Sequence, residues 1–228
     1  MIFSIDIASV GIGQGLRLLA TRPRPRDVEG LRYAETVFTA PLGDGLLPAP
    51  DFGTVALLAA WDDEEALEDF AGHPIARQLA AGWQVRMAPL RVSGAWPGLD
   101  GLPERPLPVD DEEPVAVLTL GRLMPWRARP FLRAAAPAEA DVLTEPGLLA
   151  STGFGRLPSI VSTFSLWRTA AAMRDYAYRQ GGSHRAAVAA DRERAFHRHS
   201  AFIRFRPYAS RGEWAGRDPL AAATAVTA

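Results

Sequence analysis

The sequence predicts an α+β protein. Two copies of one strand–helix–strand–strand–helix–strand unit are expected to close, within a single chain, into a pseudo-dimeric α/β barrel. Three echoes between the halves predict this. GFGRLP at Gly153–Pro158 answers GDGLLP at Gly43–Pro48, sharing both glycines, a leucine and the proline. WRTAAAMRDY at Trp167–Tyr176 answers WDDEEALEDF at Trp61–Phe70, and GEWAG at Gly212–Gly216 answers GAWPG at Gly94–Gly98. Three matches in one order imply a duplication with roughly a hundred residues per copy. Two copies are too few for a solenoid, but two βαββαβ sheets, each ferredoxin-like, can cover one another's apolar faces.

Composition narrows the chemistry. The 228 residues are 48% hydrophobic, enough for a substantial core. A formal net charge of −1 argues against a nucleic-acid binder that must neutralise many phosphates. The chain has no lysine, asparagine or cysteine, so all 25 of its Lys+Arg residues are arginine. That excludes a Schiff-base lysine, a Walker lysine, a thiol nucleophile, thiolate-ligated haem and a disulfide framework. No basic stretch precedes the apolar run Met1–Val10, and no segment reaches the roughly 18–20 apolar residues of a membrane span. The cytoplasm, including the membrane surface, is the expected location.

In chain order, Ile2–Ile7 reads as the first strand. GIGQG at Gly11–Gly15 starts like a dinucleotide fingerprint, but Leu16 stands where the third glycine is required, so it reads as a turn into the first helix. TRPRPR (Thr21–Arg26) ends that helix in a loop. Leu31–Thr39 and Thr54–Trp61 are the next strands, joined by an extended turn through GDGLLPAP. The acids Asp62–Glu65 suit the positive end of a second helix, which closes at Gly72; His73 then reads as an exposed loop residue. Val85–Val92 is the fourth strand, its Pro89 marking an edge or a bulge. Gly101–Pro114, with four prolines and the acidic run Asp110–Glu113, has the composition of a linker. It divides an N-terminal half, residues 1–100, from a C-terminal half, residues 115–217, and residues 218–228 read as a disordered tail.

In the second copy, Val115–Leu120 repeats the first strand and Pro125–Arg133 opens the first helix. Gly153–Pro158 reads as a glycine-rich turn before a buried strand ending at Trp167. Thr169 is the expected N-cap of a helix with Met173, Tyr176 and Ala177 on one apolar face. Gly181 and Gly182 stop it, Ser183 can cap another, and Ser200–Tyr208 is the final strand.

STFSLW (Ser162–Trp167), MRDYAY (Met173–Tyr178), GGSH (Gly181–His184) before an Ala-rich helix, AFIRFRPY (Ala201–Tyr208) and GEWAG, in this order, resemble the spheroidene monooxygenase family of carotenoid oxygenases. The first copy's glycine turn, proline pair and TVALLAAW (Thr54–Trp61) fit the same pattern. The resemblance implies a haem-dependent monooxygenase. It would insert oxygen from O2 into a carotenoid or another apolar small molecule, with electrons from a separate reductase or ferredoxin, and with His184 as the iron ligand. Two positions depart from the family: FHRHS (Phe196–Ser200) has His199 and Ser200 where acids are expected, and Leu46 replaces an aromatic residue after Gly45.

Read as residues, these candidates each have a plainer alternative. A proximal imidazole needs a neutral histidine beside an apolar cavity. His184 opens a helix beside Gly-Gly, facing alanines that let a flat macrocycle approach; the alternative is a surface or capping histidine. Arg127, Arg129 and Arg168 are candidate partners for haem propionates, since guanidinium binds carboxylates in a fork, or else solvated charges. Phe164, Trp167, Tyr176, Tyr178 and Phe202 are candidates for the lining of a polyene tunnel or for core packing. Arg204 is either an outward charge or a buried anchor. His197 and His199 share a strand face by spacing, but no third metal ligand accompanies them. Neither a Ser-His-Asp order nor a carboxylate pair stands out, so hydrolysis is not favoured and no catalytic side chain is singled out. A cofactor-free oxygenase, a haem dehydratase and a non-catalytic module binding haem or a hydrophobic ligand remain open on this scaffold. So does association into a homo-oligomer.

Overall fold

The computed structural model describes residues 1–43, 49–179, 182 and 196–224; for 125, 129, 134 and 224 it describes the backbone alone. The strands are β1 (Ile2–Ser9), β2 (Leu31–Ala40), β3 (Asp51–Trp61), β4 (Trp83–Ala95), β5 (Val115–Leu123), β6 (Leu148–Arg156), β7 (Ile160–Trp167) and β8 (His197–Arg211). The helices are α1 (Ile12–Ala20), α2 (Glu64–Asp69), α3 (Pro74–Leu79), α4 (Ala128–Leu143), α5 (Ala170–Tyr178) and α6 (Ala221–Thr224).

All eight strands form one closed antiparallel barrel in the order β1-β3-β2-β6-β7-β5-β8-β4. Each half has the same internal order, β2-β3-β1-β4 and β6-β7-β5-β8, which is the ferredoxin-like arrangement twice over. The halves meet at two seams that leave no free sheet edge. Eleven positions pair across β4 and β8, from Gln84↔Arg211 to Ala95↔Ser200. Across β2 and β6 only three pair: Phe38↔Gly155, Thr39↔Phe154 and Ala40↔Gly153. Pro89, which cannot donate to a ladder, sits at a register shift in β4, as expected.

Alternation along the strands sends one side-chain set inward and the other outward. The inward set, among it Ile5, Trp83, Met87, Leu118, Phe164 and Phe205, is fully buried and packs as one apolar cluster inside the barrel. Outside the first half, Leu18, Leu67, Ile75 and Leu79 of α1–α3 seal Val55, Leu57, Ala59 and Trp61 into a second apolar cluster.

The duplication is visible side chain by side chain. Trp61 and Trp167 close equivalent strands, and two residues on Asp63 and Thr169 cap the following helices, accepting from the amides of Ala66 and Ala172. The echoed GxWxG turns begin at Gly94 and Gly212, whose φ values of +87° and +73° belong to the left-handed region. Each delivers a tryptophan to a mouth of the barrel: Trp96 is buried in the barrel cluster and Trp214 packs on Trp83 with centroids 5.7 Å apart.

Three expectations need correction. Gly153–Arg156 is not a turn but the end of β6, where small residues let β2 approach; a Cβ at Gly153 would lie 2.7 Å from the Ala40 carbonyl oxygen. His73 is not a free loop residue: its Nδ1 accepts from the Ile75 amide, capping α3, and its ring stacks on Phe70 at 4.6 Å. Residues 218–224 pack rather than trail away, because Leu220 and Ala223 join the barrel core and Asp218 accepts from Trp83 Nε1 at 2.9 Å. Among the described residues no helix is long and apolar enough to cross a membrane.

Candidate functional site

The two halves differ in what their outer sheet faces carry. The helix-facing side of the first half holds the apolar cluster sealed by α1–α3, beside a strip of hydrogen-bonded polar residues, Ser4, Asp6, Gln84 and Arg86. In the second half the buried cluster under α4 and α5 comprises Leu90, Val115, Val142, Trp167, Ala170 and Met173, gathered around the end of the sheet where Val115 pairs with Trp167. The rest of that face carries mostly small side chains, with Phe202 and Arg204 on β8 at its edge. One row across the strands runs Phe202, Thr119, Thr163, Gly153; the next runs Arg204, Val117, Ser165, Ser151. Thr119, Val117, Thr163, Ser165 and Ser151 are all half-buried.

Hydroxyl groups on this floor are organised. Thr119 Oγ1 and Thr163 Oγ1 lie 2.6 Å apart, and the Thr163 amide donates to Thr119 Oγ1 at 3.0 Å. Ser151 Oγ is buried and has no partner among the described residues. α4 and α5 are tied to each other by the Tyr176 hydroxyl, which donates to the Ala138 carbonyl at 2.9 Å. Burial chiefly, with Asp141 and Glu145 nearby, pushes the Tyr176 pKa up to about 12, so it remains a donor.

The aromatic candidates fall on two sides of the sheet. Phe164 points into the packed barrel and does not share a space with the others, because residues of odd and even position face opposite ways along β7. Trp167 and Tyr176 lie on the outer side and stack. Tyr178 and Phe202 are exposed on that side, and Tyr178 lies near Arg204. Burial lowers the Arg204 pKa and Tyr178 opposes the shift. Arg204 is thus a half-buried anchor.

Arg168 follows Trp167, which pairs with Val115 at the start of β5, while Arg127 follows the far end of β5 at Leu123. At ~3.3 Å per residue the strand separates them by roughly 25 Å, so they cannot both serve the neighbouring carboxylates of one porphyrin edge. Each nonetheless holds a buried nitrogen, Arg168 Nη1 and Arg127 Nε, that has no acceptor among the described residues. Arg129 lies in the first turn of α4, and its side chain is outside the described set. His184 lies outside the described residues.

His197 does not stand beside His199 as a metal pair. Its ring lies against Gly121, where a Cβ would come within 2.6 Å, and packs edge-on to Phe131 of α4 at 5.0 Å, while His199 is exposed. A register shift between Arg122 and Leu123 separates the two histidines in the ladder. Among the described residues no group of three His, Asp or Glu side chains could hold a metal ion.

Spacing alone missed the Thr119–Thr163 pair and Arg91, a guanidinium opposite Arg204 whose buried Nε also has no partner among the described residues. Only their cross-strand register brings them together.

No family model matches the chain. It is 31% identical over 186 residues to the spheroidene monooxygenase of Rhodobacter capsulatus, covering 78% of this chain and 77% of that protein. It is 31% identical over 224 residues to the spheroidene monooxygenase of Rubrivivax gelatinosus, covering 93% and 83%. Among solved structures it resembles an aldoxime dehydratase in complex with butyraldoxime, with a TM-score of 0.52 and 9% identity over 91% of this chain and 79% of that one, a likeness of fold.

Proposed function

The chain belongs to the spheroidene monooxygenase family and is a monooxygenase-like oxidoreductase, and from that premise we propose that it is a haem-dependent oxygenase acting on a carotenoid or another long apolar molecule. The observation that carries the site is the outer face of the second half, where Gly153, Ser151, Thr119, Thr163, Ser165 and Val117 form a floor of small side chains, while at the matching place in the first half α1–α3 pack on Val55, Leu57, Ala59 and Trp61. Small side chains permit close approach of a flat ring, and the unpartnered Ser151 hydroxyl and arginine nitrogens fit a polar-edged cofactor.

In this reading His184 is the iron ligand. Arg168 at one end of the floor, or Arg127 with Arg129 at the other, meets the propionates. When bound, haem supplies the redox chemistry that O2 needs, with electrons from a separate reductase or ferredoxin. The chain's own residues do the rest. Thr119 and Thr163 offer hydroxyls for orienting a small polar group and for passing a proton along the floor. Val117, Val161 and Phe202 give the face its apolar share, which suits a polyene and excludes water. Such a substrate would be met in the cytoplasm at a membrane surface.

The test is turnover of the haem-loaded chain with a reductase, a carotenoid and isotopically labelled O2. Label in the product at a single carbon supports the reading. Full haem loading and reduction with no labelled product from any polyene or other apolar acceptor overturns it.

A further inference from the structure

The short seam between β2 and β6 leaves Glu35 and Arg156 beyond the last ladder pair, Phe38↔Gly155. There Arg156 Nη1 donates to Glu35 Oε1 at 2.6 Å and Arg22 Nη1 to Oε2 at 3.0 Å. Glu35 is 2% exposed, so both of its oxygens are committed inside the barrel mouth. Around this pair opens a cleft of about 630 Å³, walled by Ala20–Arg22, Arg24, Glu35, Arg122 and Arg156–Ile160. Among the described residues that line the cleft, Arg22, Arg24, Arg122 and Arg156 stand against one carboxylate, an excess of three positive charges.

Arg122 decides what the cleft is for. Its guanidinium lies 5.6 Å over the Trp96 ring, which holds the group in a fixed plane, yet its buried Nε has no acceptor among the described residues. A buried donor left without a partner is costly unless something outside the chain supplies one. Glu35 clamps Arg22 and Arg156 without filling the space. At the opposite mouth Asp218 accepts from Trp83 and Ser210 beneath Trp214.

We propose that this mouth binds a phosphate-bearing small molecule, at a site separate from the oxygenase face. Planar guanidinium forks match phosphate oxygens, and Leu157, Pro158 and Ile160 give the cleft an apolar side next to them. The cleft has room for a body beside the anionic group. The proposal stands independently of the haem reading.

The probe is inorganic pyrophosphate, titrated calorimetrically into the full chain at low salt. One-to-one binding is expected. It should be weakened about tenfold or more in Arg122→Gln, weakened by added salt, and unchanged in Arg179→Gln, whose partner Glu145 lies in the second half away from the cleft. Pyrophosphate should also raise the melting temperature of the parent but not of Arg122→Gln. Should Arg122→Gln fail to fold, Arg24→Gln, with its exposed side chain, carries the same expectation at several-fold. Absence of binding at millimolar pyrophosphate, or equal weakening in Arg179→Gln, overturns the site. Citrate binding as tightly as pyrophosphate overturns the assignment to phosphate.

Discussion

Trp167 stacks on Tyr176 with ring centroids 5.2 Å apart and planes at 30°, nine positions along the chain, and at the same spacing in the first half Trp61 meets Phe70 with centroids 4.9 Å apart and planes tilted at 49°. The same device pins a capped helix to the sheet in each copy. Only the second copy adds a hydroxyl, and that hydroxyl ties α5 to α4. Tyr176→Phe should keep the stack and lose about 1 kcal/mol of stability. Tyr176→Ala should lose about 3–4 kcal/mol. Urea unfolding of the two variants checks the order; equal losses would mean that the hydroxyl, and not the ring, carries the contact.

Asp6 gives the protein a pH-dependent stability. Gln84 Nε2 donates to its Oδ1 at 2.5 Å and Ser4 Oγ to its Oδ2 at 3.3 Å, but burial outweighs these and pushes its pKa from 3.8 up to about 6. The folded state therefore holds this proton more tightly than the unfolded one. The contribution is fully present below about pH 4 and is lost as pH rises through about 6, by up to about 3 kcal/mol. Denaturation at several pH values should show the decline, and Asp6→Asn should flatten it across that window.

Gly121 is a contact position between the site's floor and its roof. A Cβ there would meet the His197 ring, which is itself held under Phe131. Gly121→Ala should cost about 1–3 kcal/mol by overpacking. His197→Ala in the same chain should recover part of that loss, since the two effects share one space. Strictly additive losses in a double-mutant cycle would show that the ring does not sit where the added methyl goes.

Much of the fold is legible in the sequence because duplication repeats its local signals. Asp63 and Thr169 stand two residues after matching tryptophans, so both caps can be read directly, and the paired GxWxG turns mark where each half closes. Glycine misleads at Gly153–Arg156: the residues that usually break a strand here allow β2 to pack closely, a tertiary demand with no local trace. Alternation along β7 separates Phe164 from Trp167, but which face looks into the barrel depends on the other half of the chain. Glu35 finds Arg156 across 121 residues, and Thr119 finds Thr163 across 44. No spacing rule brings such pairs together; register does.

The visible absorption spectrum of the full-length protein, supplied with haem, tests the oxygenase reading most directly. A Soret band at one haem per chain is expected, lost or shifted in His184→Ala while that variant keeps its circular dichroism and cooperative melt. A folded protein that takes up no haem, or a His184→Ala spectrum identical to the parent's, would contradict it.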